Sequence, residues 1–79
     1  MSNSNLHYET ITELCISHRN LTNLGNEYLE YKNLKNFDCS YNNIIELNNL
    51  PKGLIVLDCS NNYIRQLDNL EEGLEILIC

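Results

Sequence analysis

Cys15 stands three residues before His18, and a thiol with an imidazole in reach is the pairing from which a thiolate nucleophile is made. No third residue to orient the imidazole and no oxyanion-stabilising element accompanies them, so the pair predicts an exposed thiol and no catalytic centre. The other cysteines, Cys39, Cys59 and Cys79, fall 20 residues apart. Structural zinc uses closely spaced Cys-x-x-Cys pairs, which the sequence lacks, so no metal is expected. A disulfide is disfavoured in a chain without an export signal, because a reducing compartment keeps thiols free. His7 has no partner pattern. These residues predict no catalytic, cofactor or metal site, and their roles depend on the elements that carry them.

Those elements repeat. The phrase LKNFDCSYNNIIELNNLPKG at 34–53 is answered column for column by LIVLDCSNNYIRQLDNLEEG at 54–73, and begins again as LEILIC at 74–79. An earlier copy, ITELCISHRNLTNL, opens the segment 11–33 and has a return three residues longer. Fixed-period self-similarity of this length predicts a solenoid in which each unit covers its neighbour's apolar face. The organisation is therefore a polar N-terminal edge over 1–10 and repeats over 11–33, 34–53 and 54–73, with a partial repeat over 74–79. Cys39, Cys59 and Cys79 occupy position 6, filled by Ile16 in the first copy, and read as small buried side chains. Cys15 is at position 5 and points the other way.

Apolar residues at positions 1, 4, 6, 11 and 14 fit neither a helical period nor sustained alternation, so the chain turns inside every copy. Positions 3 to 5 (13–15, 36–38, 56–58 and 76–78) are expected to be short parallel strands, stacked about 4.8 Å apart with the central residue inward. Right-handed crossovers would join them into one coil. The phrase Leu-x-x-Leu-x-Cys/Ile-Ser-x-Asn-x-Ile/Leu-x-x-Leu resembles the leucine-rich repeat family over residues 11–79. The shortened turn around Leu50, Pro51 and Gly53 is similar to the 20-residue variants of bacterial effectors and large DNA viruses. The resemblance implies an α/β-type solenoid, a right-handed coil with strands on the concave face and a mostly irregular or short-turn convex side.

Asn42 and Asn62 match the family's stacked asparagines, and a buried amide has donors and an acceptor to offer turn backbone that no ladder reaches. Arg19 occupies that position in the first copy. It reads as part of an N-terminal edge, its stem lying on the protein and its head in water, with Asn20 as a substitute amide. Gly53 and Gly73 precede the next copy's first leucine, where positive φ costs glycine nothing. In the longer return, the spacing Leu24, Leu29, Leu34 predicts a short helical turn.

The 79 residues carry 11 carboxylates against 5 Lys and Arg, which argues against a nucleic-acid partner, since phosphate contacts need clustered cations. The first ten residues have neither a basic start nor an apolar run, and no stretch approaches the length of a membrane span. A cytoplasmic location is expected, within a host cell if the chain is effector-like. Asn20-Leu-Thr22 matches a glycosylation acceptor, but without a secretory signal it reads as a repeat column that ends in Thr.

The family's concave face generally binds protein. Carried onto this chain, that face comprises Glu13, Cys15 and His18, then Asn36, Asp38 and Tyr41, then Val56, Asp58 and Asn61, then Ile76 and Ile78, with Ser17, Ser40 and Ser60 among them. It is polar and acidic at one end and apolar at the other, and a clustered apolar surface marks contact. Asp38 and Asp58 one strand apart repel by roughly 0.8 kcal/mol in water and roughly 3 kcal/mol at an effective dielectric of 20, which favours a basic or mixed peptide ligand. The copy at 74–79 carries Leu74, Leu77 and Cys79 without a polar cap, which leaves three expectations: the array continues beyond Cys79, this edge docks on another surface, self-association included, or the chain is poorly stable. The expected function is a noncatalytic protein-interaction module, or the amino-terminal part of one. The alternatives are the substrate-selecting segment of a ubiquitin-ligase effector whose catalytic domain is outside these residues, and a relict fragment without function.

Overall fold

Four strands form where an inward apolar residue is flanked by two outward ones: β1 (Glu13–Cys15), β2 (Asn36–Asp38), β3 (Val56–Asp58) and β4 (Ile76–Ile78). The computed structural model describes residues 8–66, 70 and 73–79. Most of the expected edge 1–10, with His7, and the column residue Leu67 lie outside the described residues. The strands make one parallel sheet in the order β1-β2-β3-β4. Their register is unbroken: Leu14 pairs with Phe37, Phe37 with Leu57 and Leu57 with Leu77. Each strand thus occupies positions 3 to 5 of its sequence copy, with equivalent residues side by side.

The return segments also contact one another in step. Asn43 N–H donates to the Leu21 carbonyl (2.7 Å) and Tyr63 N–H to the Ile44 carbonyl (2.9 Å), and Glu46 and Gln66 form an isolated parallel bridge. Between sheet and returns lies one core, containing Ile16, Leu24, Leu34, Phe37, Cys39, Ile44, Leu47, Leu50, Leu54, Leu57 and Cys59. Burying each large member contributes about 1.5–3 kcal/mol. Gly53, with φ 87°, turns the second copy into the third at Leu54.

The longer return of the first copy holds a 3₁₀ turn, Asn26–Glu30. A short turn was expected there on the strength of Leu29, but Leu29 is exposed and Tyr28 is buried in its place. With three residues per turn, a 3₁₀ segment aligns residues i and i+3, so Tyr28 and Tyr31 share the inner side. Tyr28 packs on Phe37 (ring centroids 5.5 Å), and Tyr31 meets Tyr8 edge-on (4.9 Å). Burial, reinforced by the nearby Glu27 charge, pushes the Tyr28 phenol above its ordinary pKa.

Behind β1, β2 and β3 the backbone turns away from the sheet and leaves its amides and carbonyls without strand partners. Asn42, 5% exposed, supplies them: its Oδ1 accepts from Arg19 N–H (3.0 Å) and Leu21 N–H (3.1 Å). Its Nδ2 faces the carbonyls of Ile16, Cys39 and Ser40 at 3.0–3.1 Å. Asn62 repeats the arrangement, with Oδ1 accepting from Ile44 N–H and Nδ2 facing the carbonyls of Cys39, Cys59 and Ser60. Each amide ties its own turn to the turn of the preceding copy. That explains Arg19: the first copy is served by Asn42 from behind, and its own ladder position is exposed. Asn20 does not act as the substitute amide. It is exposed, with φ 58°, and among the described residues its side chain makes no hydrogen bond.

Asn42→Ala leaves the part-buried amides of Arg19 and Leu21 and the buried carbonyls facing Nδ2 without this partner, so it is expected to cost about 3–5 kcal/mol. Asn62→Ala, at a partly exposed site, is expected to cost less. Urea unfolding of the two variants checks the order, and equal small losses would count against the ladder's importance.

Candidate functional site

The register carries the outward residues into rows. Glu13, Asn36, Val56 and Ile76 form one, and Cys15, Asp38, Asp58 and Ile78 form the next. Just past the strands, His18, Tyr41 and Asn61 occupy equivalent places in a third. Glu13, Cys15, His18, Tyr41, Asn61, Ile76 and Ile78 are exposed, while Asn36, Asp38, Val56 and Asp58 are half-buried. All eleven residues expected on the face therefore lie in three ordered rows with access to solvent. Asn42 and Asn62 lie beneath them in the ladder.

The third row has a conformation that the sequence barely signals. His18, Tyr41 and Asn61 have φ of 59°, 55° and 57°, in the left-handed region that costs an L-residue roughly 1–2 kcal/mol. Asn and His are tolerated there better than a bulky side chain, so Tyr41 gave no warning. Cross-copy bonds hold the bend: His18 N–H donates to the Tyr41 carbonyl (3.1 Å) and Tyr41 N–H to the Ser60 carbonyl (3.0 Å). The His18 and Tyr41 rings stack with centroids 4.6 Å apart and planes 12° apart. The left-handed residue turns the chain so that the next one, Asn42 or Asn62, points inward.

The serines expected on the face do not stand free upon it. Ser40 is buried and Ser60 half-buried, because each is folded back onto the aspartate two residues earlier. Asp38 Oδ1 accepts from the Ser40 amide (2.9 Å) and hydroxyl (2.6 Å), and Asp58 Oδ1 accepts from the Ser60 amide (3.1 Å) and hydroxyl (2.7 Å). One oxygen of each carboxylate is therefore occupied within the chain and its orientation fixed. The thiol of Cys15 reaches the second oxygen of Asp38 at 3.7 Å and lies 3.2 Å from the Ser17 hydroxyl. Partial burial opposes ionisation of Asp38, but the Ser40 hydroxyl and amide, the Cys15 thiol and the His18 charge outweigh it. Together they hold the carboxyl below its ordinary range.

Among the described residues no hydrogen bond joins Cys15 to His18, whose ring lies on Tyr41. No three His, Cys, Asp or Glu side chains gather as a metal site among the described residues, and none of those residues belongs to a helix long and apolar enough to cross a membrane. The inward thiols differ in kind from Cys15. Cys39 is fully buried, and burial, followed by the charges of Asp38 and Asp58, pushes it up to about 12. Cys59 is buried and Cys79 exposed. Their sulfurs are 2.7 Å apart, a closeness that the 20-residue spacing alone did not reveal.

A scan of protein-family models, a search of curated proteins and a search of solved structures each returned no match to this chain.

Native thiol labelling with a small alkylating agent is expected to modify Cys15 and Cys79 rapidly and to spare Cys39 and Cys59. Equal labelling of all four would contradict the assignment of faces. Asp38 also makes stability depend on pH. Its folded pKa is depressed, so the folded state is favoured above the ordinary value of 3.8, and that contribution disappears as pH falls through the lower folded value. Ser40→Ala should flatten this acid limb of an unfolding-versus-pH curve, and an unchanged limb would remove Ser40 as the cause.

Proposed function

We propose that the chain is a noncatalytic protein-interaction module of leucine-rich-repeat type, a solenoid of short repeats whose strand face takes a basic or mixed peptide segment of a protein ligand. The observation that carries this reading is the alignment of equivalent repeat positions into three solvent-accessible rows. An extended or irregular partner can follow such rows from copy to copy. Within them, Asp38 and Asp58 stand in adjacent strands, each anchored through one oxygen by its serine. The fixed carboxylates are already oriented, so a lysine or arginine placed across them gains charge pairing with little further ordering.

The other half of the face differs in chemistry. Ile76 and Ile78 are 51% and 47% exposed, beside half-buried Val56, and such a patch favours an aliphatic side chain. A ligand matching both halves has a cation near an aliphatic residue. The stacked His18 and Tyr41 rings border the acidic half with a planar surface suited to an arginine guanidinium.

Selection of ligands from a random peptide library on the 79-residue chain tests the reading. The selected peptides are expected to be enriched in Lys or Arg next to Leu, Ile or Val. Their affinity should fall roughly tenfold or more in Asp38→Lys/Asp58→Lys, with the circular dichroism spectrum retained, and weaken with added salt. Acidic ligands, or full binding by the double variant, would sink it.

A further inference from the structure

We propose that Cys59 and Cys79 are a redox-responsive dithiol, a modification site that a low-molecular-weight disulfide such as oxidised glutathione closes into a cross-link between β3 and β4. Four observations converge on this pair. The sulfurs lie 2.7 Å apart, so about 0.7 Å of further approach gives the ~2.05 Å of a disulfide. The two residues follow directly after paired Asp58 and Ile78, and Cys59 N–H donates to the Ile78 carbonyl at 2.8 Å. The ~4.8 Å between neighbouring strands falls within the range of Cα separations that a disulfide spans.

The pair is also asymmetric in access. Cys59 is 2% exposed, whereas Cys79 is open to solvent. The thiols border an open cavity of about 250 Å³ that Arg65, Asn62 and Gln66 also line. Its arginine gives the cavity a cationic member suited to a carboxylate-bearing disulfide. The remaining thiols are placed differently: Cys15 is bonded to Ser17 and Asp38 on the outer face, and Cys39 is fully enclosed.

The reaction proceeds in two exchanges. Cys79, having released its proton to solvent, attacks one sulfur of oxidised glutathione. A Cys79–glutathione bond forms, the glutathione S–S bond breaks, and one glutathione leaves as thiolate and takes up a proton. Cys59 then loses its proton to solvent and attacks Cys79 Sγ. The Cys59–Cys79 bond forms as the second glutathione departs and is protonated. The protein is oxidised by two electrons and one glutathione disulfide is reduced to two thiols. Burial, then the hydrogen bond with Cys79, raises the Cys59 pKa in the reduced chain. Reduction by excess glutathione reverses both steps.

The test uses the full chain, held in oxidised glutathione under native conditions, digested without reduction and mapped by mass spectrometry. The expected product is two hydrogens lighter, with the peptides of Cys59 and Cys79 joined. Cys59→Ser should stop at glutathione on Cys79, and Cys79→Ser, altered at an exposed side chain, should leave Cys59 unmodified. In the oxidised chain the amides of Glu75 and Ile76, which bond to the Ile55 carbonyl, should exchange roughly a hundredfold more slowly, as a cross-link over a loop of this length implies. Cross-links to Cys15 or Cys39 in comparable yield, a wild-type chain that stops at the mixed disulfide, or unchanged amide exchange would overturn the proposal. The wild-type map decides the case even if Cys59→Ser does not fold.

Discussion

Backbone that leaves a three-residue strand and turns at once has amides and carbonyls with nowhere to go, and burying them unpaired would cost more than the small apolar columns return. The side chains of Asn42 and Asn62 resolve this, each joining two successive turns through one amide group. The rest of the structure follows from the direction of that bond. Because the amide reaches back one copy, it fixes spacing and register between copies as well as closing its own turn. A shift of one residue would take the amide away from every partner and send Phe37 and Leu57 to the outer face. The ladder and the apolar columns therefore specify the same register independently.

The same turn shapes the outer face. Tyr41 and Asn61 take left-handed angles where Asn42 and Asn62 turn inward, and His18 takes the same angle before the exposed Arg19, so the three form an exposed row. Immediately before Tyr41 and Asn61, a serine enters the turn and bonds to the carboxylate at the strand's end. Asp38 and Asp58 are consequently held rigid by the machinery that closes the turn. Adjacent carboxylates repel, yet each accepts from the serine amide and hydroxyl of its own copy. Structure and surface chemistry share residues here, so a change made to the face at Ser40 is also a change to the turn.

Much of this was legible in the sequence because it depended on column identity. The strands, the inward Phe37 and Leu57, the buried Cys39 and Cys59 and the roles of Asn42 and Asn62 are repeated features, and repetition separates what a position requires from what one copy happens to contain. Reading failed where a copy departs from the pattern or where an interaction depends on geometry between copies. Leu29 was favoured over Tyr28 because leucine spacing was followed through a return that has only one example, and the 3₁₀ repeat of three residues favours Tyr28 and Tyr31. Asn20 was expected to stand in for the amide that Arg19 lacks because the ladder's direction is not written in its residues. The left-handed angle at Tyr41 had no glycine to announce it. Ser40 was placed on the face because its hydroxyl's partner, Asp38, was itself counted as free.

Position in the stack explains a further gradient that composition does not. Phe37 and Leu57, with a strand on each side, are 1% and 0% exposed, whereas Leu77, with one described neighbour, is 38% exposed. Leu14, also with one described neighbour, is half-buried. All four are the inward residue of their strand, so the difference is one of coverage and not of sequence. β4 lies beside β3 and contributes to covering Leu57 while receiving less cover itself. Ile76 and Ile78, the most exposed large aliphatic side chains among the described residues, and the thiols of Cys59 and Cys79, 2.7 Å apart, both belong to this junction.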